Sequence, residues 1–166
     1  MCFLRDARSF AIHAMIERLD HHDETTAEQI WLLQHAAYRA EAELIGFAGL
    51  PPLKETTADI RRLRETFYGI RDEGGELVAA LSVETDGGIV TICRVMVHPS
   101  RFRGGLARRL LAHVEREYAD AACIRVTAAD ANLPAVRLYA SMGFVPVQRL
   151  SPAPGLDMTE FVKKPE

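Results

Sequence analysis

Between Arg101 and Arg108 the chain sets two adjacent glycines, Gly104 and Gly105, among three arginines, Arg101, Arg103 and Arg108. Glycines let a backbone turn tightly with no Cβ in the way. Behind them Leu106, Leu110 and Val114 recur every four residues, with Ala107 and Leu111 alongside and Arg108, Arg109, Glu115 and Arg116 outside, the pattern of an amphipathic helix. A helix that begins at such a turn aims unpaired N–H groups and the positive end of its dipole at whatever lies in front. A phosphate fits there, and arginine can grip phosphate oxygens two at a time. The plainer alternative is a strand-to-helix connection with solvated arginines. Neither GxGxxG nor GKS/GKT is present, which excludes the dinucleotide fingerprint and the Walker loop.

Other reactive side chains give weaker signals. Cys2, Cys93 and Cys123 are an odd number with no close pair, against a disulfide framework and a zinc knuckle. Cys93 and Cys123 fall within apolar strand patterns and read as small buried residues. His21, His22, Asp23 and Glu24 form a polar knot, but four adjacent residues cannot all face one ion with ordinary geometry. A solvated loop is the expectation there, and no metal is expected. For His35, Tyr38, Glu41 and Glu55 a surface or core role is the simpler expectation, with a place in a cleft as the alternative.

The elements that must carry these groups follow from periodicity and turn signals. Residues 89–97 are almost continuously apolar and β-branched, a strand buried on both faces. Residues 67–71 and 76–84 read as strands before it, as do 9–19, where a short helix is the alternative. Asp-Glu-Gly-Gly at 72–75 and Asp-Gly-Gly at 86–88 imply antiparallel hairpins. A helix capped by Thr25 with Glu28, or by Thr26 with Gln29, carries Ile30, Leu33, Ala37, Ala40 and Leu44 on one face and stops at Gly46. A proline-stiffened loop and a second capped helix over 57–66 follow, a pair that could form a lid over a small cleft. The glycine-turn helix runs to about Asp120, and the alternating strand at 122–128 completes a strand–helix–strand unit. Such a unit is parallel with a right-handed crossover. Asp130 or Asn132 caps a further helix closed by Gly143, and strands at 145–150 and 157–163 end the chain, with Pro146 marking an edge.

The length of 166 residues suits one domain over 1–166, and no repeat or linker divides it. A hydrophobic share of 48% and a charged share of 26% are those of an ordinary soluble globular protein. A net charge of −3 gives no broad basic surface, so nucleic acid is not an expected partner. No apolar run approaches the ~20 residues that span a bilayer. MCFLRDARSF lacks a signal-peptide core, so a cytoplasmic location is expected.

Two segments together resemble a family. VHPSRFRGGLARRLL resembles the acyl-CoA binding segment of the GNAT N-acetyltransferases, written as Arg or Gln, two residues, Gly, one residue, then Gly or Ala. Gly105 and Ala107 occupy the last two fixed positions; Phe102 stands at the first, with arginine one residue later at Arg103. NLPAVRLYASMGF, with Asn132, Ala135, Leu138, Tyr139, Gly143 and Phe144 in register, is similar to the second signature of the same family.

The resemblance implies an α/β fold: a mixed sheet of about six to seven strands, antiparallel in its N-terminal part and parallel between the fourth and fifth, with about four helices. It implies acetyl-CoA as acyl donor and an amine acceptor. Its donor contacts correspond to Val95, Met96, Val97, Arg103, Gly104, Gly105, Leu106, Ala107, Arg108 and Asn132, with no metal. Asn132 reads equally as a bare N-cap. The fourth and fifth strands are expected to splay, and Tyr139 matches the general acid, against a reading as a core aromatic. The Glu that serves many relatives as base is replaced by Cys93, which leaves Glu84 or a water chain as candidates. A noncatalytic acyl-CoA binding module and an assembly protein are the competing readings, a homodimer is left open, and no motif selects the acceptor.

Overall fold

A computed structural model of the chain describes residues 15–165. Its elements run β1 (Ile16–Leu19), α1 (Glu24–Ile45), α2 (Thr57–Arg61), β2 (Thr66–Arg71), β3 (Leu77–Asp86), β4 (Ile89–Val97), α3 (Leu106–Glu117), β5 (Cys123–Ala129), α4 (Leu133–Ser141), β6 (Val145–Ala153) and β7 (Leu156–Lys163). One seven-stranded sheet has the order β1-β2-β3-β4-β5-β7-β6. Only β4 and β5 run parallel; every other neighbouring pair is antiparallel. This is the mixed sheet with four α-helices that the two signatures imply. Of the strand expected over 9–19, residues 16–19 form β1, and 9–14 lie outside the described residues, as does Cys2.

Two apolar layers hold the helices to the sheet. On one face Leu106, Leu110, Leu111 and Val114 of α3 pack on Leu81, Val83, Val90, Ile92, Ile124 and Val126. On the other, Ala27, Ile30 and Leu33 of α1 with Ile60 of α2 cover Phe67, Ala80 and Met96. Alternate residues of the central strands thus serve opposite layers, which is why those strands are apolar throughout.

Several local expectations need correction. The N-cap of α1 is Asp23, whose carboxylate accepts from the Thr26 N–H at 2.9 Å, so neither threonine caps it. Leu44 is 55% exposed, so of the apolar face expected to run to it only Ile30 and Leu33 are fully buried. Helix α2 stops at Arg61 rather than 66. The carbonyls of Arg61 and Leu63 instead accept from His22 and His21, at 2.8 and 2.7 Å. Of the polar knot, His21 is therefore buried rather than solvated, while His22, Asp23 and Glu24 stay exposed as expected.

Candidate active site

The strand at the centre carries a bulge. In the β3–β4 ladder Ser82 lies opposite Arg94 and Val83 opposite Ile92, so Cys93 is the unpaired extra residue. The bulge turns Cys93 out to solvent, which corrects its reading as a buried residue; Cys123 is half-buried. The parallel pairing of β4 with β5 ends at the same level, at Ile92 opposite Val126. Beyond it β4 stays paired with β3 through Val95, Met96 and Val97, and β5 with β7 through Ala129. The two strands part there, and among the described residues the β5-facing edge of Val95–Val97 has no ladder partner.

At the end of β4 the chain makes a short 3-10 turn at Pro99–Arg101 and enters α3 through left-handed backbone at Arg103 (φ 64°) and Gly105 (φ 75°). Among the described residues no side chain caps α3. Its first N–H groups therefore point outward at an exposed turn of Phe102, Arg103, Gly104 and Gly105. Phe102, at the family's Arg/Gln position, is itself 54% exposed. Of the three arginines, Arg101 pairs with Asp72 at 3.1 Å and Arg108 donates to Ser141 Oγ at 2.7 Å, tying α3 to α4. The Arg103 side chain is exposed at the turn.

Helix α4 closes the far side. Asn132 Oδ1 accepts from the Ala135 N–H at 3.2 Å, so the N-cap is Asn132, and its Nδ2 donates to Glu41 Oε1 of α1 at 3.1 Å. The ring of Tyr139 lies in the core against Phe144 and Phe161, with centroids 5.8 and 5.9 Å away. Burial, with the charge of Glu41 adding to it, holds the Tyr139 phenol above its usual range. Tyr38 is held up in the same way, first by burial and then by Glu41. Glu41 is itself raised by burial, against the opposing hydrogen bond from Asn132. At neutral pH the Tyr139 hydroxyl is thus protonated.

The bulge faces a buried network that sequence reasoning missed. Arg94, 9% exposed, donates through Nε and Nη2 to Glu65 at 2.9 and 3.1 Å, and through Nη1 to Glu55 at 2.7 Å and Gln34 at 2.9 Å. Ser82 Oγ donates to Glu65 at 2.5 Å, and Gln34 Nε2 to the Pro52 carbonyl at 2.9 Å. The proline-rich loop expected as a lid is therefore fastened to the middle of the sheet. The available signal was a single arginine in an otherwise apolar strand. Beside the network, ligand atoms of Glu65, Glu84 and Cys93 lie within 4.8 Å of one another. Desolvation, then Glu65 and Glu84, push the Cys93 thiol up to about 12.

Comparison with known proteins fits this geometry. Residues 4–144 match the family model described as the acetyltransferase (GNAT) family. A curated relative, the UPF0157 protein YqkA of Bacillus subtilis (strain 168), is 42% identical over 147 residues, 89% of this chain and 43% of its own length. The chain thus spans less than half of that relative. Among solved structures, the ribosomal-protein-S18-alanine N-acetyltransferase of Escherichia coli superposes with a TM-score of 0.72 at 18% identity, over 92% of this chain and 94% of its own. An N-acetyltransferase of Staphylococcus aureus Mu50 gives 0.71 at 14% identity, over 93% and 99%. At such identities the likeness is one of fold. Among the described residues no helix is long and apolar enough to cross a membrane.

Proposed function

The chain belongs to the GNAT acetyltransferase family, and from that premise we propose that it transfers an acetyl group from acetyl-CoA to a primary amine by direct attack in a ternary complex. The observation that carries this reading is the parting of β4 from β5 beside the uncapped start of α3. An extended arm can lie along the open edge of Val95, Met96 and Val97 as an added strand would. The N–H groups of Gly104, Gly105, Leu106, Ala107 and Arg108, with the exposed Arg103 guanidinium, suit the diphosphate. Asn132, at the rim beside Glu41, lines the same slot as an N-cap.

The chemistry falls to two places. A backbone N–H at the bulge polarises the thioester carbonyl in a water-poor slot, an oxyanion-hole effect. Tyr139, kept protonated by burial and by Glu41, donates its phenolic proton to the departing thiolate. A second reading, a noncatalytic acyl-CoA binding module, is favoured by one observation: the bulge position holds Cys93, whose thiol is held up at about 12 and so supplies no thiolate at neutral pH.

Thermal shift with CoA and acetyl-CoA tests the slot, since a ligand of the native state must raise its stability. Thiol release with a panel of amines then separates the enzyme from the binding module. A chain that neither gains stability with CoA nor releases thiol refutes both.

A further inference from the structure

We propose that Glu84 on β3 is the group that takes the proton from the attacking amine, a role that rests on the acyl-transfer reading above. The bulge brings three candidates together, Glu65, Glu84 and Cys93, with ligand atoms within 4.8 Å of one another. Two are disqualified by their bonds. Glu65 accepts from Ser82 and from two nitrogens of Arg94, so protonating it would break a buried ion pair. The Cys93 S–H is directed at the Thr91 carbonyl at 3.5 Å and stays protonated at neutral pH.

Glu84 is different in both respects. Its side chain is exposed, and among the described residues no cation and no hydrogen-bond donor engages its carboxylate. It lies opposite Thr91, one step along the ladder from the bulge and outside the parted segment Val95–Val97. Exposed there, its carboxylate is open to an amine that approaches the bulge. The charged or titratable groups around that carboxylate are Glu65, Cys93 and Arg94, then Asp86 on its own strand. Next along the row through Thr91 comes Arg125 of β5, which pairs with Glu160 at 3.3 Å.

The step balances without a co-reactant. The alkylammonium gives one proton to the Glu84 carboxylate, and the freed nitrogen pair forms the N–C bond as the C–S bond breaks. Tyr139 protonates the thiolate and is reprotonated by the second proton leaving nitrogen. Glu84 then releases its proton to water, and the products are the amide, the CoA thiol and one proton.

The test compares the full chain with Glu84→Gln and Glu84→Asp, following thiol release from acetyl-CoA from about pH 6 to about pH 10, where alkylamines titrate. The amines are n-butylamine, spermidine, a peptide with N-terminal alanine and an internal-lysine peptide. Trifluoroethylamine, whose ammonium form is a far stronger acid, is run alongside. Glu84→Gln is expected to lower kcat/KM for the alkylamine about a hundredfold or more, with an unchanged thermal shift by CoA. Glu84→Asp should keep part of the rate, and with trifluoroethylamine the loss should shrink below about tenfold, a selectivity that a merely structural defect would not give. An active wild type whose Glu84→Gln variant keeps its rate and pH profile, or loses rate equally with both classes of amine, overturns the role of Glu84 alone. A wild type that binds CoA and acetylates none of these amines overturns the acyl-transfer reading as well.

Discussion

Arg94→Met is the perturbation whose cost can be reasoned most directly from the geometry. The guanidinium holds Glu65, whose side chain is 8% exposed, and Glu55, at 20%, through three charge-assisted bonds and a fourth link through Gln34. Methionine fills the stem's space but leaves two carboxylates facing each other with no cation between them. Removing one partner of a buried pair costs about 3–5 kcal/mol, most of it the burden of the abandoned charge. At about 2–4 °C of melting temperature per kcal/mol for a chain of this size, the expected drop is roughly 6–20 °C. Thermal unfolding followed by circular dichroism at neutral pH reads it. Adding Glu65→Gln to Arg94→Met should restore part of the loss. A drop under about 2 °C, or a double variant no better than the single, would refute the argument that this network holds the loop to the sheet.

Further outcomes follow from neighbouring residues. Tyr139→Phe should cut turnover about a hundredfold at unchanged CoA binding. Because burial and Glu41 hold the phenol above its ordinary value, wild-type turnover should show no alkaline loss from this group up to about pH 10. Gly105→Ala should destabilise by about 1–2 kcal/mol through its left-handed backbone alone, since nothing lies within 4 Å of an added Cβ; denaturant unfolding measures it, and CoA affinity should fall with it. Cys93→Ala should keep its activity, and Cys93 should resist iodoacetamide at neutral pH, because the thiol sits at about 12. Asp130 is lowered first by the Thr159 hydroxyl and then by Arg149, so its contribution is present above the unfolded carboxylate value and lost as pH falls through the folded one. Melting curves of wild type and Asp130→Asn should therefore converge in acid.

The sheet and the helix faces were legible because they follow from local periodicity: the alternation at Ile124, Val126 and Ala128 matches the buried positions, whereas in the apolar run at 89–97 Val90, Ile92 and Met96 are buried and Ile89, Val95 and Val97 only half-buried. The glycine turn was legible for the same reason, through Gly104 and Gly105. The site's other half was not. Arg94 meets Gln34, Glu55 and Glu65 across long separations in the chain, and no spacing announces those meetings. The bulge was hidden too, since Cys93 is set apart from Ile92 by its pairing and not by its hydropathy. Helix α1 shows a closer competition, in which Asp23 outranks two threonines as cap because its carboxylate accepts from both the N–H and the hydroxyl of Thr26.

The offset at Cys93 also bears on which length changes the chain can absorb. Side chains along a strand alternate with a period of two, so one residue inserted or deleted between 93 and 97 would send Met96 to the α3 side and Val95 and Val97 to the α1 side. The hairpin tips at 72–75 and 86–88 carry no such parity and can lengthen freely. Variants built by loop grafting should therefore survive at those tips and be lost along the outgoing half of β4, where the count of residues itself is the constraint.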